Sequence, residues 1–110
     1  MTEMVQVFFG DILEMKKQNL INDRFWNIKK THALSTKKII KIYLRGLYVE
    51  WLGFIVRNGG ERISYKVLCK EMRKSNIQVN KVIRFENQIL KGIILNYENI
   101  PDVLKELFNV

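Results

Sequence analysis

The chain has 110 residues, 47% of them apolar, and a formal net charge of +8, with a pI near 9.8. That length predicts one domain and is short for two independent cores. The charge predicts a polyanionic partner, whether nucleic acid, an anionic membrane surface or an acidic protein, although a chain rich in Lys, Ile and Asn carries the same imbalance without a partner. Cys69 is the one cysteine, so no disulfide can close within the chain, which fits a reducing, cytoplasmic compartment.

Residues 3–18 place Val5, Phe8, Phe9, Ile12 and Leu13 at helical spacing, with Asp11, Glu14 and Lys17 elsewhere on the wheel. Glu3, Asp11 and Glu14 do not suit a signal peptide, so none is expected here. Residues 22–31 carry Phe25, Trp26 and Ile28 after a capping Asn22 and predict a short helix or an ordered loop. Ser35 is a suitable cap for a helix over residues 37–57 that stops at Asn58-Gly59-Gly60. Part of it, residues 39–56, approaches the length of a bilayer span. Lys41, Arg45 and Glu50 inside it are costly in hydrocarbon, so a buried helix is expected and no membrane partner. Its apolar residues cover nearly the whole circumference, which predicts a central helix or one side of a dimer interface, and Gly46 and Gly53 would let another helix approach. Glu61-Arg62-Ile63 reads as extended, and Ser64 caps a helix beginning at Tyr65. Near the end, Pro101 marks a helix start, followed by the stripe Val103, Leu104, Leu107 and Phe108.

The stretch LCKEMRKSNIQVNKVI, residues 68–83, bears most on function. Leu68 and Met72 fit the core face of one helix, Cys69 the small position where a second helix crosses, and Ser75 the cap of that second helix. Val79 and Ile83 fit the second helix's buried face. This pattern resembles the helix-turn-helix of bacterial, archaeal and phage regulators. The flanks, RISYKVL and ILKGIIL, look like the entry and post-helix strands of winged-helix domains. The resemblance covers residues 62–95. It departs from the family pattern at Arg73, where glycine is usual, at Lys74, where an apolar residue is usual, and at Glu86, inside the apolar stripe of Val79, Val82, Ile83, Leu90 and Ile93. An alternative register uses Asn76 as a left-handed turn residue and Ile77 as a buried one.

A second helix over residues 77–90 would put Asn80, Lys81, Arg84, Asn87, Gln88 and Lys91 on one arc. Amides and guanidinium groups suit base edges, and cations suit phosphates. An ordinary solvated face has the same composition. The residues expected to contact DNA are Lys74, Ser75, Asn76, Gln78, Asn80, Lys81, Arg84 and Asn87.

Other chemistry is sparse. His32 lies beside Lys29 and Lys30 with no cysteine or carboxylate pair, so no metal is expected. Cys69 reads as packing rather than nucleophile. Glu61, Glu71 and Glu86 have no acid–base spacing, and Trp26, Trp51, Tyr43 and Tyr48 read as core more than as base-stacking platforms. The expectation is therefore a mainly α, winged-helix-like helix-turn-helix domain of five or six helices and at most two short strands. Residues 1–60 would form the core and dimerisation part, residues 62–95 the helix-turn-helix part and residues 99–110 a C-terminal helix. No enzyme and no cofactor are expected. The expected function is a small regulator, or a replication or partition factor, binding double-stranded DNA as a homodimer. The alternative is a protein–protein module, or a helical subunit of an RNA–protein complex, without duplex binding.

Overall fold

The computed structural model describes residues 1–30, 37–85, 87–97, 100 and 102–108. The expectations placed on His32, Ser35, Glu86 and Pro101 lie outside the described residues.

Helix α1, Glu3–Lys17, starts where Thr2 Oγ1 accepts the Val5 N–H at 3.4 Å. It buries Val5, Phe8, Phe9, Ile12, Leu13 and Met15, the stripe its sequence spacing predicts with Met15 added. Its stop is a left-handed Asn19 (φ 58°). There the Leu20 N–H reaches Met15 O at 2.9 Å and the Asn19 N–H reaches Lys16 O at 3.0 Å. These crossed bonds satisfy carbonyls that a helix end otherwise leaves unpaired. Asn22 is a cap as expected: its side chain accepts the Arg24 N–H at 3.0 Å and opens a short 3-10 helix, Asp23–Phe25. Strand β1, Trp26–Lys30, follows directly.

The long helix expected over residues 37–57 is instead two elements: strand β2, Lys38–Ile42, and helix α2, Leu44–Arg57. Tyr43 separates them at φ −80°, ψ 86°, and its N–H bonds to Phe25 O at 2.8 Å. The physical reason is periodicity. Ile40 and Ile42 are two apart and face the core, whereas Leu44, Leu47, Tyr48 and Trp51 follow the helical repeat. Laid on one wheel, a strand and a helix fill the whole circumference. The β-branched Ile39, Ile40 and Ile42 suit a pleated surface. The helix stop is where the sequence puts it, at Gly59 (φ 79°), with Gly60 N–H to Ile55 O at 2.7 Å.

Helix α3, Tyr65–Lys74, opens on Ser64, whose Oγ accepts the Val67 N–H at 3.2 Å. Leu68, Cys69 and Met72 are its buried residues, as expected. The second helix expected after it, over residues 77–90, is a β-hairpin: β3, Lys81–Phe85, and β4, Gln88–Asn96. Phe85 pairs with Gln88, and Asn87 between them takes a left-handed φ of 66°, the conformation that two-residue hairpin connections require. The final helix, α4, spans Asp102–Phe108 and buries Leu104, Leu107 and Phe108.

The strands form one antiparallel sheet in the order β1-β2-β4-β3. One face of it, with Trp26, Ile40, Ile42, Ile93 and Leu95, joins α1, α2, α3 and α4 in a common core. Helices gathered on one face of an antiparallel sheet make this an α+β fold. This corrects the expectation of a mainly α, winged-helix-like domain with at most two strands. Phe8 anchors the helical layer, in edge contact with Phe9 and Trp51 at centroid distances of 5.1 and 5.0 Å. Trp51 Nε1 donates to Asp11 Oδ2 at 2.9 Å, and so joins α1 to α2.

Candidate nucleic-acid interface

Two features of the sheet create the candidate surface. The β2–β4 ladder runs only from Ile39↔Asn96 to Ile42↔Ile93. The β3–β4 ladder occupies the other half of β4, from Lys81↔Gly92 to Phe85↔Gln88. The hairpin therefore extends past the end of β2. Along β4, Ile89, Lys91, Ile93 and Leu95 alternate onto one face. The helices bury Ile93 and Leu95, but Ile89 is 70% exposed.

The β3–β4 register fills in the rest of that face. Val82 is opposite Lys91, and Arg84 is opposite Ile89. All four are exposed. Val82, at 68%, and Ile89 are the most exposed large apolar side chains among the described residues. The four make a square with an apolar diagonal and a cationic diagonal. On the reverse face Ile83 is buried at 1% and is opposite Leu90. Gly92 is there because the β2 backbone comes too close for a side chain: a Cβ at that position would collide with the Ile42 carbonyl oxygen and come within 2.7 Å of Ile83 Cδ1.

At the root of the hairpin the chain between α3 and β3 lines an open groove of ≈ 600 Å³. Its walls are Arg73, Asn76, Gln78, Asn80 and Lys81, with Ile77 and Val79 beneath. The shape follows from the end of α3. Ser75 is the C-cap, Asn76 is left-handed at φ 61°, and the Ile77 N–H bonds back to Met72 O at 2.9 Å. Ile77 turns into the core at 6% exposed, next to Met72 in the same cluster. This contact between a buried residue past the helix end and one in its last turns is the usual companion of such a stop. Asn80, again left-handed at φ 61°, then starts the strand. Asparagine tolerates this region better than other residues with a Cβ.

The residues expected from the sequence to contact DNA fall in three places. Asn76, Gln78, Asn80 and Lys81 come together in the groove. Arg84 is on the exposed hairpin face, and Asn87 is at its tip. Lys74 and Ser75 end α3. Lys74 Nζ is 3.6 Å from Glu71, and Ser75 Oγ accepts the Thr2 N–H at 2.8 Å. Ser75 thus closes one helix and does not open another. Asn76 is left-handed and Ile77 buried, as the alternative register has them, but a strand follows and not the second helix that register needs.

The arc read on a helix also separates. Arg84 and Lys91 share a face of the hairpin, whereas Lys81 and Gln88 belong to the reverse side of their strands. Val82, expected in a buried stripe, is exposed. The sequence reading missed Val82 and Ile89 because it placed them on a helix. The signal available was Asn87 midway between two β-branched runs, KVIRF and QILKGIIL.

Among the described residues, cationic side chains without carboxylate partners dominate this end of the molecule. Among the described residues, Lys81, Arg84 and Lys91 have no ion pair; the pairs present are Lys17–Glu106 at 3.2 Å and Lys74–Glu71. No group of three or more potential metal ligands occurs among the described residues. No described helix is long and apolar enough to cross a membrane.

Tyr65, on α3, lies away from this surface beside α2. Its ring contacts Tyr48 at 5.2 Å and Arg45 at 4.6 Å. Burial and the neighbouring Cys69 push its phenol up to about 12, against an opposing pull from Arg45. No protein-family model matches the chain, and comparison with curated proteins and with solved structures finds no match.

Proposed function

We propose that this protein binds double-stranded DNA through the β3–β4 hairpin, with the groove at its root holding the sugar–phosphate backbone. The observation that carries this reading is the hairpin register, which puts Arg84 and Lys91 on one exposed face past the end of β2. A two-stranded ribbon fits a groove of a duplex, major or minor, and cations on its face reach the flanking phosphates. Arg73 and Lys81 in the root groove supply further positive charge, and Asn76, Gln78 and Asn80 supply donors and acceptors suited to phosphate and sugar oxygens. The net charge of +8 supports the same partner.

A homodimer belongs to this proposal. Helix α2 turns Val49, at 57% exposed, and Val56, at 41%, outward on one stripe with Gly53 between them. Exposed Arg45 and Arg57 flank this apolar stripe, so two chains would meet on Val49 and Val56 with the arginines at the rim, and paired hairpins would read two half-sites. The test is a mobility shift on random-sequence duplex DNA and RNA at two salt concentrations, with light scattering on the free protein. Duplex DNA binding that weakens steeply with salt is expected. Absence of binding to either nucleic acid would replace this reading with a protein–protein module that docks through α2.

A further inference from the structure

The exposed apolar diagonal of the hairpin has no role in a purely electrostatic contact. Val82 and Ile89 are 68% and 70% exposed, and each is opposite a cation, Lys91 and Arg84 respectively. We infer that Val82 and Ile89 form a wedge that enters a base-pair step, so that the protein bends the duplex it binds. This inference rests on the duplex-binding reading above.

The argument is one of chemistry and arrangement. Phosphates cannot reward two β-branched hydrocarbon side chains at the centre of a contact surface; base faces can. Unstacking a base step is costly, but burying two aliphatic side chains returns free energy of the same order. Cations beside the wedge would hold the two backbones as the step opens, which is how wedge-bearing proteins recover the cost of bending through added backbone contact. The hairpin supplies both parts within two adjacent cross-strand pairs, Val82↔Lys91 and Arg84↔Ile89. Its position past the end of β2 leaves room for a duplex to approach this face. A charge-complementary partner is favoured over a second copy of this chain, because two such faces would bring four cations together.

The experiment measures bending separately from binding. A random-sequence duplex carrying a donor and an acceptor fluorophore at its two ends is titrated with the full chain, and mobility shift is recorded on the same samples. Val82→Thr/Ile89→Thr keeps β-branched residues on the strands, so the hairpin is retained; circular dichroism checks this. The parent should bend the duplex by between about 20° and 90°. The double Thr variant should still bind with salt dependence but lose the bend, and Val82→Ile, which keeps the wedge apolar, should bend as the parent does. A parent that binds without bending, or a double Thr variant that bends as the parent does, overturns the wedge and leaves the duplex-binding reading intact. A parent that binds no duplex but adsorbs to phosphatidylserine vesicles overturns both and makes the hairpin a membrane contact.

Discussion

The Thr2 N–H donates to Ser75 Oγ at 2.8 Å, across 73 residues of sequence. Thr2 caps the start of α1 and Ser75 closes the end of α3, so one hydrogen bond ties two helix termini together beside the root groove. Ser75→Ala should cost about 0.5–1.5 kcal/mol, the usual net worth of such a bond. Urea denaturation measures it. Duplex affinity should change little, because the hydroxyl is engaged within the protein. A large affinity loss with unchanged stability would place Ser75 in contact with DNA instead.

Gly92→Ala tests the close approach of β2 and β4. The added methyl meets the Ile42 carbonyl oxygen, which is backbone and cannot rotate aside, and Ile83 Cδ1 at 2.7 Å. Overpacking of this kind costs roughly 1–3 kcal/mol. Thermal unfolding of the variant should show a clear drop in Tm; an unchanged Tm would mean that the strands separate more easily than their register implies.

Removing cations should separate the partners of the hairpin by salt dependence. Lys81→Ala and Arg84→Ala should each reduce the salt slope of duplex binding by about one if each side chain neutralises a phosphate. Arg84→Ala on a base edge would instead cost roughly 1–3 kcal/mol and relax specificity at one position. Glu71→Gln, on α3 beside Lys74, should leave specificity unchanged. Titrating each variant against a selected and a scrambled duplex distinguishes these outcomes, and binding identical to the parent for both cation variants would remove the hairpin from the interface.

Alkaline titration should expose the Tyr65 environment. The folded phenol is raised from 10.0 to about 12, chiefly by burial. Above pH 10 the unfolded chain releases the proton while the folded chain retains it, so the unfolded state gains. Stability from this group is fully present below pH 10 and declines as the pH rises toward about 12. Tyr65→Phe should flatten that part of the curve in denaturation measurements; a decline as steep as the parent's would assign it to other groups.

Cys69 is 5% exposed between α3 and the core. A thiol reagent should therefore label it slowly in the native protein and quickly in urea, and rapid native labelling would show that α3 opens readily.

Local chemistry made several features legible from the sequence. The stripe from Val5 to Leu13, the caps at Asn22 and Ser64, the glycine stop at Gly59 and the buried Leu68, Cys69 and Met72 all depend on neighbours within one or two helical turns. The basic, amide-rich character of residues 73–81 was legible for the same reason, and the groove brings Arg73, Asn76, Gln78, Asn80 and Lys81 together. Local spacing points to helix over residues 38–42 and 81–85, where the structure has strands, whereas the strand expected in ILKGIIL, residues 89–95, is part of β4. Short apolar runs such as KIIKI and KVIRF fit either repeat. Tertiary pairing decided it: Ile40 against Leu95, and Lys81 against Gly92, are contacts between distant or reversed segments. A strand satisfies its backbone groups only through such a partner, whereas a helix satisfies its own, so the strands and the exposed hairpin face they create depend on pairing that local spacing does not specify.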